Sequence, residues 1–176
     1  MRRPLCLSIL LLPLVLLCAA PALAEVQFPL RKAGLWDITM DHGGAGMPRM
    51  TVQQCTSQAV DREFTSEFVP SAKQNCSKAD FRKTAAGYVM DSVCTMAGAT
   101  VTSHAETSGD FDSAYTVTIT ARSEGGRLGT RDSKVTMAAK WTGPCKDGQK
   151  PGDVVMPGGF KMNMRDLEKF KAMVPK

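Results

Sequence analysis

Apolar and polar residues alternate through most of the second half of this chain. Tyr115, Val117, Ile119 and Ala121 hold one parity, and Thr116, Thr118, Thr120 and Arg122 hold the other. Successive side chains of a strand point to opposite faces, so this pattern predicts a strand with one dry and one wet face. Val135, Met137, Ala139 and Trp141 repeat it against Lys134, Thr136, Lys140 and Thr142. Val101, Ser103 and Ala105 repeat it more weakly, with His104 and Glu106 facing outward. Tyr88 to Thr95 reads as a further strand, with Phe81 on its hairpin partner and Ala85-Ala86-Gly87 as the turn. Turn chemistry separates these runs at Ala97-Gly98, at Ser108-Gly109-Asp110 and across Ser123 to Gly129. Successive strands with short connections predict an antiparallel meander.

The first half adds two strands. Leu35 to Met40 places Trp36, Ile38 and Met40 on one face, and Met50 to Cys55 follows after a glycine-rich loop from Asp41 to Arg49. The polar stretch between Cys55 and Cys76 has little strand character, and Val60 to Phe68 predicts one or two helical turns. Pro151 to Gly159 reads as a linker. Beyond it Asn163 can cap a short amphipathic helix over 163–173, with Leu167, Phe170 and Val174 at helical spacing. The expected fold is mainly β: a single antiparallel meander forming a curved sheet or small open barrel, with a two-sheet sandwich as the alternative and short helical additions. Trp36, Val117, Ile119, Val135 and Trp141 are expected to be buried together.

The opening of the chain changes the picture. Met1-Arg2-Arg3 is positive, Leu5 to Leu17 is almost wholly apolar, and Ala22-Leu23-Ala24 offers a small-x-small cleavage pattern. Together they predict a secretory signal peptide over residues 1–24, cleaved after Ala24, ahead of a single exported domain over residues 25–176. The apolar run is shorter than the roughly 20 residues a membrane span needs, and Pro13 lies inside it. No membrane span is expected after cleavage. Removal of Arg2 and Arg3 reduces a formal charge of +5 to a weak basic bias. Lys and Arg are scattered and aromatics are few, so the footprint of nucleic-acid binding is lacking.

Export also decides how the cysteines are read. Cys6 and Cys18 leave with the signal, and Cys55, Cys76, Cys94 and Cys145 stay. An even number in an exported chain implies two disulfides, and the lack of C-x-x-C argues against a redox pair or a zinc ribbon. Cys55 and Cys76 bracket a polar segment that a local staple would hold. Cys94 ends one strand and Cys145 follows another. The expected pairing is Cys55 with Cys76 and Cys94 with Cys145.

The segment Arg31-Lys32-Ala33-Gly34-Leu35-Trp36-Asp37-Ile38-Thr39, then Met47-Pro48-Arg49-Met50 and Val52-Gln53-Gln54-Cys55-Thr56, resembles the family called domain of unknown function 3617. Those are small exported proteins of Gram-negative bacteria that open with a Lys-x-Gly-Leu-Trp-Glu-like strand, followed by a Met-Pro loop, a Gln-x-Cys and further cysteines. The resemblance spans about residues 31–147. Ala33 stands where such sequences often have Pro, and Asp37 where they often have Glu. The resemblance implies a periplasmic β domain and carries over no activity, cofactor or catalytic residue.

Candidate chemistry is sparse. The two histidines, His42 and His104, lie in no H-E-x-x-H, and no G-x-S-x-G is present. Asp110 and Asp112 sit in a turn, where Asp is common for backbone reasons. No enzyme is expected and no cofactor is implied. His42, Met47 and Met50 form a soft set in one loop that would suit Cu(I), a periplasmic cargo, although Met also fills gaps in apolar cores. Trp36 and Trp141 are core candidates and, alternatively, the wall of a site for an apolar ligand. The expected function is a non-enzymatic periplasmic protein that binds a partner protein or a small apolar ligand through its curved sheet. Cu(I) binding through His42, Met47 and Met50 is the alternative.

Overall fold

A computed structural model describes residues 28–43, 46–127 and 129–166. Nine strands form one antiparallel open sheet. They are β1 (Gly34–Asp41), β2 (Met50–Thr56), β3 (Cys76–Thr84), β4 (Gly87–Met96), β5 (Ala99–Asp110), β6 (Ala114–Gly125), β7 (Arg131–Gly143), β8 (Asp153–Val155) and β9 (Lys161–Asn163). Their order across the sheet is β3-β4-β5-β6-β7-β1-β2-β8-β9. The meander from β3 to β7 follows the alternation in the sequence. The N-terminal hairpin β1–β2 then docks on β7, with Ile38 opposite Ala139 and Met40 opposite Met137.

Helix α1 (Gln58–Asn75) connects β2 to β3. Ser57 caps it, its hydroxyl accepting from the Val60 N–H at 3.3 Å, and Asp61 places a carboxylate in the first turn, where the helix dipole favours it. The helix is longer than the expected Val60–Phe68. It continues past Pro70, a residue that usually marks a helix end. The expected C-terminal helix begins at residues 164–166, where Asn163 Oδ1 accepts from the Arg165 N–H at 3.0 Å. Its remainder, with Leu167, Phe170 and Val174, lies outside the described residues, as do the expected signal segment 1–24 and the expected cleavage point. Among the described residues no helix is long and apolar enough to cross a membrane.

Two expectations are corrected. The disulfides are Cys55–Cys145 and Cys76–Cys94, not Cys55–Cys76 and Cys94–Cys145. The reason is the helix. Eighteen helical residues span about 27 Å, which carries the chain away from Cys55 before it reaches Cys76. The β3–β4 register then sets Cys76 opposite Cys94. Leu35 pairs with Cys55 on one side and with Gly143 on the other, which brings Cys145 to Cys55 at a Cα separation of 5.4 Å. Second, the Pro151–Gly159 linker is partly strand. Val154 pairs with Gln54 of β2 and with Met162 of β9, and the buried Asp153 carboxylate accepts from the Lys150 N–H and the Asn163 amide. Three-residue strands between Pro and Gly leave too short a pattern to read.

The core is Trp36, Ile38, Val52, Tyr115 and Ala139, with Met40, Met50, Val117, Met137 and Trp141 packed against it. Trp36 is wholly buried, and its indole N–H donates to the Lys32 carbonyl at 2.9 Å. Ile119 and Val135 are half-buried and lie outside this cluster. Gly34 explains the glycine of the Gly-Leu-Trp block. It adopts φ +133° beside a bulge in the β1–β7 pairing, and a Cβ there would collide with the Gly143 carbonyl and meet Trp141 Nε1 at 2.6 Å.

Candidate functional site: a cavity between the sheet and α1

Alternation assigns Phe81, Met90, Ala105, Ile119 and Val135 to one row of one face, since each is register-paired to the next. Side chains of that face from β1 to β7 line a single cavity of about 470 Å³, and Phe64 and Thr65 of α1 face it. A flat sheet could not present so many strands to one volume, so the sheet curves around it. This size is within the range of single small-molecule sites.

An aromatic ladder runs along the cavity. Phe28 stacks on Phe81 at 4.0 Å between ring centroids, and Phe81 lies parallel to Tyr88 at 5.4 Å. Tyr88 meets Phe111 edge-on at 6.0 Å, and Phe111 stacks on Tyr115 at 4.6 Å. Tyr115 in turn touches Trp36 at 5.5 Å. Met90, Met137 and Met164 line the same cavity. Thioethers adapt to irregular apolar shapes.

One end of the cavity is polar. Arg31 Nη2 and Nε donate to the two carboxylate oxygens of Asp61 at 2.7 and 3.1 Å, and Arg31 Nη1 donates to Gln54 Oε1 at 2.8 Å. The Arg31 backbone N–H also donates to Asp61, at 2.9 Å, and so does the Thr56 hydroxyl, at 2.8 Å. Burial works to raise the Asp61 carboxyl, but Arg31 and Thr56 outweigh it and hold the group below the usual carboxylate range. Burial works to lower Arg31, yet Asp61 holds it above the usual guanidinium value. Burial pushes the Tyr115 phenol up, against the opposing pull of Arg31. This end anchors the segment before β1 to the start of α1.

A second depression, about 680 Å³, lies on the opposite face. Its lining includes Asp91, His104, Thr120 and Lys134, the outward neighbours of the cavity residues. Several of its charges form solvent-accessible pairs. His104 Nδ1 lies 2.6 Å from Asp91, Arg82 contacts Asp91 at 2.7 Å, and Arg122 contacts Asp132 at 3.3 Å. The hydrogen bond from His104, then that from Arg82, holds the Asp91 carboxyl down at about 2, while Asp91 and Glu106 raise the His104 imidazole. The larger volume is thus an open groove lined mostly by polar and charged side chains, and the smaller one, lined mostly by aromatic, aliphatic and Met side chains, is the better candidate site.

The residues singled out in the sequence fall in three places. Trp36 is core, and Trp141 is half-buried, its N–H donating to the Ala33 carbonyl at 3.1 Å and its ring under Lys32 Nζ at 3.8 Å. Neither lines the cavity, whose apolar wall is instead built of Phe, Tyr, Met and aliphatic side chains. Met50 packs on the core from β2, Met47 is 56 % exposed in the loop before it, and His42 directly follows β1. Among the described residues no three His, Cys, Asp or Glu side chains gather to hold a metal ion. The four cysteines are all consumed in the two bridges. Val117, Ile119 and Met137 were readable by parity, and Tyr88 was read as strand without an assigned face. Phe28, Arg31, Phe64 and Phe111 were not, since they sit on a pre-strand segment, a helix and a turn, where no period-two pattern exists.

The family model described as Protein of unknown function (DUF3617) matches residues 31–145, well over half of the chain. No curated protein and no solved structure matches. The matched span begins at Arg31 and ends at Cys145, so it contains both bridges and the ion pair at the cavity end.

Proposed function

We propose that this chain, which belongs to the DUF3617 family of unknown function, is a non-enzymatic periplasmic protein that binds a small apolar ligand between its curved sheet and α1. The observation that carries the reading is the cavity itself: an aromatic ladder and three methionines around about 470 Å³, on a face that the sheet would otherwise have to close by packing. The leader read in the sequence and the two disulfides support an oxidising, exported setting. Native mass spectrometry of protein purified from its own cell envelope tests the reading. The expected spectrum carries a retained small apolar mass that disappears in Ala105→Phe, a variant that fills the cavity. A bare protein mass in the wild type, with no uptake of an added apolar probe, would overturn it.

A second reading, Cu(I) binding through His42, Met47 and Met50, is supported by the strand register. Met40 stands opposite Met50 on one side and Met137 on the other, which gathers thioethers at that end of the sheet. Competition for Cu(I) with a chelator tests it: Met47→Leu/Met50→Leu is expected to lose the ion while keeping the fold. Equal, weak retention by both proteins would dismiss the site.

A further inference from the structure

The charge balance of the cavity limits what it can hold. Among the described residues that line it, Arg31 and Asp61 alone carry formal charge, and they neutralise each other. Their side chains are only 13 % and 8 % exposed. All three guanidinium nitrogens of Arg31 are engaged, with Nε and Nη2 on Asp61, Nη2 also on Thr56 Oγ1 and Nη1 on Gln54. Asp61 is equally engaged, by the guanidinium, the Arg31 backbone N–H and the Thr56 hydroxyl. Gln54 is further occupied through its amide nitrogen, 2.9 Å from Met164 Sδ. Tyr115, the remaining ionisable group at this end, has its phenol shifted further from ionisation by burial.

A carboxylate, sulfonate or phosphate brought to the buried Arg31–Asp61 end would give up water there and find no uncommitted cation. It would also meet the Asp61 anion. A cation would meet Arg31 in the same way. Burying an ion without a partner is far costlier than burying a neutral group of the same size. Resting on the ligand-binding reading above, we infer that the cavity selects uncharged apolar molecules and rejects anionic amphiphiles, and that the Arg31–Asp61 pair is the residue pair that sets this selectivity.

Two fluorescent dyes with one ring system test the inference. Phenylnaphthylamine is neutral, and anilinonaphthalene sulfonate is the same skeleton bearing an anion. Titrated into the wild-type protein, the neutral dye is expected to bind more tightly by at least about tenfold, the ratio that corresponds to 1.4 kcal/mol. Asp61→Asn leaves Arg31 as an uncompensated cation, so sulfonate affinity should rise to match or exceed that of the neutral dye. Because the sulfonate also lights up loosened folds, Arg31→Gln/Asp61→Asn provides the control. It removes both charges and should return the preference to the neutral dye. Near-UV circular dichroism reports the fold of each variant. Wild-type protein that binds both dyes equally would overturn the inference while leaving the cavity as a ligand site. Sulfonate binding that persists in the double variant would overturn it too. Wild-type protein that binds neither dye would sink the ligand-binding reading itself.

Discussion

The same strands carry two faces with opposite uses of charge. On the inner face one ion pair, Arg31–Asp61, is buried and hydrogen-bonded at every available oxygen. On the outer face Asp91, His104, Arg122 and Asp132 pair in the open, with His104 42 % and Arg122 53 % exposed. His104 and Ala105 are neighbours in sequence, yet one belongs to the solvated groove and the other to the cavity wall. Charge density therefore does not distinguish the candidate site here. Exposed pairs are screened and contribute little. The buried pair is where removing one partner has consequences, because the other is stranded away from water.

The largest break in that contrast should come from the inner face. Trp36→Ala empties a fully buried site, and denaturant unfolding should show a loss of about 3–5 kcal/mol. Thr118→Ala, on an outward position of β6, should stay within about 0.5 kcal/mol of wild type. Arg31→Met keeps much of the side-chain volume but strands Asp61, and should cost about 3 kcal/mol at neutral pH. Arg31→Met/Asp61→Leu should recover most of that loss. Equal stability of the single and double variants would show that Asp61 finds water when its partner is gone.

Acid titration sharpens the comparison further. The folded Asp61 carboxyl lies below its ordinary value of 3.8, so between the two values the unfolded chain binds more protons than the folded one. The stabilisation from this group is therefore present above 3.8 and is lost as pH falls through the lower folded value. Urea midpoints of wild type should drop over that window more steeply than those of Arg31→Gln/Asp61→Asn. His104 has the opposite sign and the smallest effect. Its imidazole is raised by Asp91 and Glu106, so its contribution is present below its ordinary value of 6.5 and is lost as pH rises through the raised one. The difference between wild type and His104→Gln should shrink over that rise, and its small amplitude should reflect solvent exposure.

Much of this architecture was legible in the sequence. Alternation in β5, β6 and β7 assigned Val117, Ile119 and Met137 to the inner face and the threonines to the outer one. The hairpin around Ala85-Ala86-Gly87 followed from turn chemistry. The disulfide pairing was not legible, because it depends on how far α1 carries the chain, and Pro70 hid the length of that helix. Parity set Trp36 and Trp141 on the inner face, but strand register decides position along it, and register placed them opposite each other, beyond the cavity. Phe28, Arg31 and Phe64 complete the site from segments with no strand period. A lone Arg before a strand carries no sign that it will meet an Asp at a helix start.

The most direct test of the central claim uses the two neighbours that face opposite ways. Phenylnaphthylamine should be titrated into wild type, Ala105→Phe and His104→Phe, each shown to be folded by near-UV circular dichroism. The dye is expected to bind wild type and His104→Phe alike, and Ala105→Phe is expected to weaken binding by about tenfold or more, the equivalent of 1.4 kcal/mol. Binding that survives Ala105→Phe and fails in His104→Phe would move the site to the outer groove and contradict the account.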